Sequence, residues 1–246
     1  MAAHTSLKEK KMPKQLKPVQ FLAPLFALCL LGSTKAWADD IAGSFSIASN
    51  PNGDWTYGSL AGSTFTPLPV SSAAVGSGFW TTSTNFPVVL GNNTGATVLY
   101  STWALPTDML NLHPDPSGIA SDVRWTAPSA GTYAIDGLFE GVDYVGPTTT
   151  DVHILLNGSS LFSDNISSYL IPSNFSLTES LNSGDTIDFA VGYGIDGNYL
   201  YDSTGLAGSI THESAAVPEP AIMYLLGTGL ALIVLLRNRA IRRQKL

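Results

Sequence analysis

The long middle of the chain, residues 39–214, most constrains the fold, because its apolar residues occur in short runs separated by turn-forming residues. None of these runs keeps the 3.6-residue spacing that an amphipathic helix needs. Residues 132–143 alternate instead, with Tyr133, Ile135 and Phe139 on one face, which is the period of a half-buried strand. Short strands with turn signals between them predict an all-β fold, an antiparallel two-sheet β-sandwich.

Three segments in the second half of this region add a more specific pattern. They are residues 123–133 (VRWTAPSAGTY), 152–158 (VHILLNG) and 181–189 (LNSGDTIDF). In this order they resemble the strand–turn pattern of jelly-roll carbohydrate-binding modules and galactose-binding-like domains. The resemblance covers about residues 121–212 and implies a jelly-roll-like sandwich, commonly with a structural calcium ion. It does not imply a sugar ligand, because a fold does not dictate a function.

The last thirty residues combine three unlike parts in a fixed order. Val217 precedes Pro218-Glu219-Pro220, where the two prolines hold the chain extended because neither can continue a helix. An apolar run over 221–236 follows; as a helix it is about 24 Å long, at the short limit for a bilayer core of about 30 Å. We expect a transmembrane helix here, and a basic end that stops on the cytoplasmic side. The arginines of this end are Arg237, Arg239, Arg242 and Arg243.

This order of parts resembles the PEP-CTERM sorting signal of proteins exported by Gram-negative bacteria, and we assign residues 215–246 to it. The resemblance implies transient anchoring in the inner membrane and cleavage near Pro-Glu-Pro by an exosortase. Release or attachment at the cell surface then follows, and such proteins usually accompany exopolysaccharide. The alternative is an ordinary C-terminal anchor that is never cut.

Residues 1–38 have the order of parts found in a secretory signal peptide. Lysines come first, an eleven-residue apolar run follows over 21–31, and Ala36-Trp37-Ala38 fits the small-x-small cleavage rule. We therefore expect a signal helix, signal peptidase as a partner, and a mature chain that begins at residue 39. The alternative is an uncleaved N-terminal anchor, and both place the middle of the chain outside the cytoplasm.

The middle region is strongly acidic. Arg124 is the only lysine or arginine in residues 39–214, against 17 aspartates and glutamates, so the net charge there is near −16. Nucleic acids are excluded as partners because their phosphates need basic side chains, and anionic lipid surfaces are disfavoured for the same reason. The single cysteine, Cys29, lies in the leader, so the domain has no disulfide.

Aromatic side chains that face solvent are the usual platforms for sugar rings, with amides and carboxylates to bind the hydroxyls. Trp55 and Trp80 lie next to glycines and turns, and Tyr199 and Tyr201 lie in the polar and aromatic segment 192–205. We select these four as candidate ligand-binding residues. The alternatives are core positions for the two tryptophans and, for the tyrosines, a loop that packs on its own domain.

The same segment offers Asp196, Asn198 and Asp202 as oxygen ligands for Ca²⁺, the one cofactor that we consider. The alternative is a loop whose Asp and Asn side chains cap turns. Glu140 and Asp143 are close enough in sequence to suggest an acid/base pair, but the paired carboxylates of glycosidases usually come from separate strands. The sequence contains no nucleophile elbow, zinc-binding helix or phosphate loop.

Together these features predict an exported, non-enzymatic cell-surface or extracellular-matrix protein that is associated with exopolysaccharide as a structural or glycan-binding component. Two alternatives stay open at this point. One is an exported carbohydrate-active enzyme, either a lyase or a glycosidase, and the other is an adhesin that binds proteins.

The sorting prediction is tested by replacing Pro218, Glu219 and Pro220 with alanine. We expect this variant to stay in the membrane at full length, because the exosortase would no longer find its motif. Immunoblots of membrane and medium fractions measure the outcome, with Glu213→Ala as a control that leaves the motif intact. Normal processing of the triple variant would remove the sorting claim.

Overall fold

The computed structural model describes residues 37–213 and 220–243, and within these ranges the chain forms sixteen strands and one helix. The first eight strands are β1 (Ala38–Asp40), β2 (Trp55–Ala61), β3 (Thr64–Pro67), β4 (Val70–Ser72), β5 (Phe79–Thr81), β6 (Val88–Asn92), β7 (Val98–Tyr100) and β8 (Trp103–Leu105). The next eight are β9 (Met109–His113), β10 (Ala120–Thr126), β11 (Gly131–Gly141), β12 (Asp151–Leu156), β13 (Ser159–Asn165), β14 (Pro172–Leu181), β15 (Thr186–Val191) and β16 (Thr204–Glu213). The helix, α1, spans Pro220–Arg243.

The strands form two large antiparallel sheets and one small hairpin. The eight-stranded sheet has the order β14-β11-β16-β9-β6-β5-β4, and β1 pairs with the far half of β16. The six-stranded sheet has the order β13-β12-β15-β10-β2-β3, and β7 pairs with β8 alone. The predicted all-β, antiparallel two-sheet architecture is confirmed.

The last eight strands have the order of a jelly roll. One sheet contains β9-β16-β11-β14 and the other contains β10-β15-β12-β13, so the chain changes sheets at nearly every connection. Two interlocked Greek keys of this kind define the jelly-roll sandwich. The earlier strands extend both sheets beyond β9 and β10, and the hairpin β7–β8 lies between two strands of the eight-stranded sheet in the chain order.

Aromatic side chains join the two sheets across the core. Trp125 on β10 meets Tyr133 on β11 edge to face, with ring centroids 5.1 Å apart, and Phe175 on β14 lies 5.9 Å from Phe189 on β15. All four side chains are buried because alternate residues of each strand point to the same face. Such rings bury large apolar areas and gain further from edge-to-face contact.

The only arginine of residues 39–214 lies on the outer face of the six-stranded sheet. Arg124 on β10 alternates with the inward-facing Val123 and Trp125, and its guanidinium forms a two-point ion pair with Asp188 on β15. The ring of Phe65 covers the guanidinium carbon at 4.0 Å from the ring centroid. This cation is therefore fully engaged within its own sheet.

Two predicted segments at the chain ends have different outcomes. The predicted signal peptide 1–38 lies almost wholly outside the described residues, and its last two residues, Trp37 and Ala38, contact the sandwich: Trp37 stacks on His212, and Ala38 pairs with Thr211. At the other end the predicted segment 221–236 lies within α1. Within the described residues no helix has both the length and the apolar character that crossing a membrane requires, so the transmembrane assignment stays a prediction.

Replacing Phe175 with alanine tests the aromatic contact between the sheets. This side chain meets Phe139, Phe162 and Phe189 at centroid distances of 5.5, 5.9 and 5.9 Å. We expect Phe175→Ala to lower the free energy of unfolding by about 3–5 kcal/mol. The substitution leaves a cavity, and the surrounding strands can close it only partly. Urea denaturation measures the loss.

The matched control is Leu99→Ala at a side chain that is 72% exposed. A surface truncation of this kind changes stability by about 0.5 kcal/mol or less. If Phe175→Ala cost no more than Leu99→Ala, the core could not be held by the inter-sheet aromatic contacts described above.

Candidate functional site

A cleft of about 590 Å³ opens at the end of the sandwich where β11 ends and β16 begins. Gly141 pairs there with Thr204, and Leu112 near the end of β9 pairs with Thr204 from the other side. The cleft walls come from the β7–β8 hairpin, the β5–β6 region and the loop before β16. Its aromatic lining residues are Phe79, Phe86, Tyr100, Trp103, Tyr199 and Tyr201.

The β7–β8 hairpin supplies one aromatic wall. Tyr100 and Trp103 face each other across its two-residue turn, with ring centroids 5.6 Å apart. The hairpin is fixed to the body of the domain because the Ala104 amide donates to the Val142 carbonyl at 2.9 Å and Trp103 bridges to Asp143. Tyr100 is more than half exposed, so a flat ring is presented to solvent at the cleft mouth.

Tyr199 and its neighbours form a second aromatic group in the lining of the cleft. The ring of Tyr199 meets Phe86 edge to face at 5.4 Å and lies 5.9 Å from His113. His113 donates through Nδ1 to the Pro114 carbonyl at 3.0 Å, since a carbonyl can only accept. Burial lowers the pKa of His113 from its ordinary value of 6.5, against a smaller opposing effect of the Asp143 charge. The imidazole is therefore neutral at pH 7.

Asp143 is the central polar residue of the cleft. One of its carboxylate oxygens accepts a hydrogen bond from the Thr102 hydroxyl, and the other accepts from the Ser203 amide at 2.9 Å. The residue is almost fully buried, although it lines the cleft. A carboxylate has about four acceptor positions, so Asp143 can still accept from a ligand.

Two further polar atoms in the cleft lack partners in the described part of the chain. They are Oδ1 of Asn111 on β9 and Oγ of Ser203, both buried and both on residues that line the cleft. Leaving a buried polar atom without a hydrogen bond costs about 1–3 kcal/mol. Each such atom calls for an explanation, and an ordered water or a bound ligand would supply the missing partner.

The predicted calcium ligands lie beside the cleft, but most of their oxygens are engaged in the loop. Thr149 Oγ1 lies 2.9 Å from Asp196 Oδ2 and 3.2 Å from Asp202 Oδ1, which brings these two carboxylates together. The Asn198 side-chain oxygen accepts from the Leu200 amide at 2.8 Å. Only Asp202 Oδ2 has no partner among the described residues.

Residues 37–213 and the described helix contain no group of three His, Cys, Asp or Glu side chains arranged to hold a metal ion. The calcium prediction is not tested further by the geometry and stays a prediction.

The structure corrects two of the four predicted ligand-binding residues. Trp55 is 2% exposed and stacks on Phe189 in the core, and Trp80 is 7% exposed and donates from its indole to the Ser46 carbonyl. Both lie on strands whose inward faces pack between the sheets, and the neighbouring glycines and turns gave no information about this. Tyr199 and Tyr201 do line one cleft.

Other cleft residues were not selected from the sequence. Among them are the hairpin residues, because the chain turns at Ser101 and Thr102 and places Tyr100 opposite Trp103. Two small polar residues between two aromatic residues were the available signal for this hairpin. Of the carboxylate pair that the sequence suggested, Asp143 lines the cleft and Glu140 is not among its described lining residues.

Comparisons with known proteins give weak similarities. No protein-family model matches the chain, and no curated protein matches it. Among solved structures, CBM51 from Clostridium perfringens GH95 in complex with methyl-galactose is 9% identical, with a TM-score of 0.37 over 59% of this chain and 94% of that one. A family 35 carbohydrate-binding module from an environmental isolate is 15% identical, with a TM-score of 0.31 over 74% and 99%.

A third similar structure is of a different kind. Pika GITRL is 21% identical, with a TM-score of 0.27 over 39% of this chain and 75% of that one. Overlaps at these TM-scores are common to many arrangements of antiparallel strands. They assign neither a family nor a ligand to this chain, and the jelly-roll description above rests on strand order alone.

Asp202 gives the site a testable pH dependence. Burial raises its pKa from 3.8 to about 6, with Thr149 opposing the shift and the charges of Asp196 and Asp143 adding to it. A raised pKa means that the folded state binds the proton more tightly than the unfolded chain. The free energy of unfolding therefore falls as pH rises from about 4 to about 6, by about 1–3 kcal/mol.

Asp202→Asn removes the titrating group and keeps an oxygen for the Thr149 amide. We expect chemical denaturation of this variant at a series of pH values to show a flatter profile between about pH 4 and pH 6 than the unaltered protein. Identical profiles for the two proteins would show that Asp202 does not carry this pH dependence.

Proposed function

We propose that this chain is an exported, non-enzymatic cell-surface or matrix protein that binds glycans in the cleft beside Asp143. The observation that carries the proposal is the combination of aromatic walls with unpartnered buried polar atoms in one concave site. Tyr100 and Trp103 form one aromatic group of the lining and Tyr199 belongs to another, and Asn111 and Asp143 line the same cleft. This is the composition of a small-ligand site, mostly apolar with a few placed polar groups.

Sugars match both parts of this site. The C–H face of a pyranose ring packs on a flat aromatic ring, and its hydroxyls donate to and accept from amides and carboxylates. Asn111 Oδ1 needs a donor, and Ser203 Oγ needs a donor or an acceptor. A hydroxyl supplies either, whereas a purely apolar ligand would leave both atoms unpaired at the cost of their desolvation.

The direction of β16 supports a role at a surface. This strand begins at Thr204 beside the cleft and ends at Glu213. Ten residues at about 3.3 Å each span about 33 Å, so the cleft and the exit toward the C-terminal segment lie at opposite ends of the strand. A domain held through its C-terminal segment would thus keep its cleft away from the point of attachment.

The export part of the proposal rests on the sequence. The leader 1–38 would be removed by signal peptidase, and the segment 215–246 would hold the protein in the inner membrane until an exosortase cuts near Val217. The product would remain at the cell surface or in the extracellular space, where exopolysaccharide is the glycan within reach. The strongly acidic character of the domain supports solubility there and opposes binding to nucleic acid.

Glycan binding is tested with substitutions in the two walls. We expect Trp103→Ala and Tyr199→Ala each to weaken binding to the host's own polysaccharide by about tenfold or more, since a lost stacking surface costs about 1.4 kcal/mol or more. Affinity electrophoresis in gels that contain the polysaccharide measures the change. Urea denaturation of each variant establishes that the domain is folded.

The matched control is Tyr169→Ala. Tyr169 is exposed at the same end of the sandwich and contacts Tyr144, but it is not among the described residues of the cleft lining. We expect this variant to bind as the unaltered protein does. Equal loss in all three variants, or no retardation of the unaltered protein by any glycan, would contradict the proposal.

A further inference from the structure

The charged side chains described at and beside the cleft are acidic. Asp143 lines the cleft, and its charge and that of Asp196 both act on the neighbouring Asp202. None of the described residues that line the cleft is a lysine or an arginine. The arginine of the six-stranded sheet is not available to balance them, because its guanidinium Nη2 donates to Asp188 at 2.9 Å.

Buried polar atoms without hydrogen-bond partners are a second, independent observation, and they indicate which groups a ligand must supply. Asn111 Oδ1 is an acceptor that is buried without a donor in the described part of the chain, and Ser203 Oγ is buried without a partner of either kind. Asp143 adds carboxylate oxygens that already accept one hydrogen bond each and have room for more. A ligand that satisfies the polar atoms of the cleft must therefore supply mainly hydrogen-bond donors. A positive charge on the ligand would also be favoured.

The aromatic side chains of the cleft also favour a positively charged group on the ligand. The face of an aromatic ring carries partial negative charge and attracts a cation within about 6 Å of its centroid. Tyr100, Trp103 and Tyr199 line the same cleft as the Asp143 carboxylate. A cation in this cleft would meet ring faces and a carboxylate in the same small volume.

We propose that the cleft selects sugars that carry a free ammonium group, that is, de-N-acetylated amino sugars, an inference that rests on the glycan-binding function proposed above. An ammonium group offers three donors and one positive charge. N-acetylation removes that charge and leaves a single amide donor. A uronic acid places a carboxylate beside Asp143, and no described residue of the cleft lining is a basic side chain that could offset the repulsion. This repulsion disfavours acidic sugars as ligands.

The test compares three oligosaccharides of equal length on the full-length protein by isothermal titration calorimetry. They are a β-1,4-linked glucosamine tetramer, the N-acetylated tetramer of the same linkage, and a tetramer of galacturonic acid, at a pH where the amines are protonated. We expect the glucosamine tetramer to bind about tenfold or more tightly than the N-acetylated one, and the uronic acid tetramer to bind more weakly than either. Added salt should weaken the glucosamine arm most, because it screens charge.

A charge-removing variant localises the effect. Asp143→Asn keeps an oxygen for the Ser203 amide and a group that can pair with the Thr102 hydroxyl. We expect the affinity ratio of glucosamine to N-acetylglucosamine tetramer to fall by about tenfold in this variant. Asp136→Asn, at an exposed position on β11, removes the same charge elsewhere and should leave the ratio unchanged.

The outcomes separate this inference from the proposed function. If an N-acetylated or uronic acid tetramer binds as well as the glucosamine tetramer, charge selection is wrong while glycan binding stands. An unchanged ratio in Asp143→Asn would also overturn the selection by Asp143. If no tetramer and no host polysaccharide binds, the glycan-binding function itself fails.

Discussion

Packing of aromatic rings between the two sheets is the interaction on which the rest of the structure depends. The middle region contains no cysteine, so no disulfide joins the two sheets. The contacts of Trp125 with Tyr133 and of Phe175 with Phe189 fix how the sheets lie on each other. That alignment in turn fixes the ends of β9, β11 and β16, from which the cleft is built. A rigid scaffold that positions irregular loops is the usual basis for a binding site.

The cleft brings several buried polar groups together beside an opening. Asn111, Asp143 and Ser203 are buried and line the cleft, whereas other buried polar residues, such as Asp122 and Asp188, lie in the six-stranded sheet. The chain forgoes stability at Asn111 and Ser203, since each has a buried atom without a partner in the described residues. Local conflicts of this kind concentrate at functional sites. The same loops keep several large apolar side chains exposed, including Tyr100 and Tyr201, which fits a surface made for contact.

The fold class could be predicted from the sequence, but the burial of Trp55 and Trp80 could not. Alternation in residues 132–143 reports one strand and its inward face directly, and β11 spans Gly131–Gly141. Whether a tryptophan near a turn points inward depends on sheet register, and register is set by partners distant in the chain. Trp55 pairs with Trp125, seventy residues away. The residues next to Trp55 in the sequence therefore do not indicate that its side chain is buried. Tyr199 and Tyr201 were found because a dense polar and aromatic loop is itself a local signal.

The most direct measurement is a crystal structure of the protein with a bound oligosaccharide. The account predicts sugar rings between Trp103 and Tyr199, with a sugar hydroxyl or amine in hydrogen-bond contact with Asp143 and with Asn111 Oδ1. Sugar bound elsewhere, such as on the outer face of the six-stranded sheet, with the cleft containing only water, would contradict it.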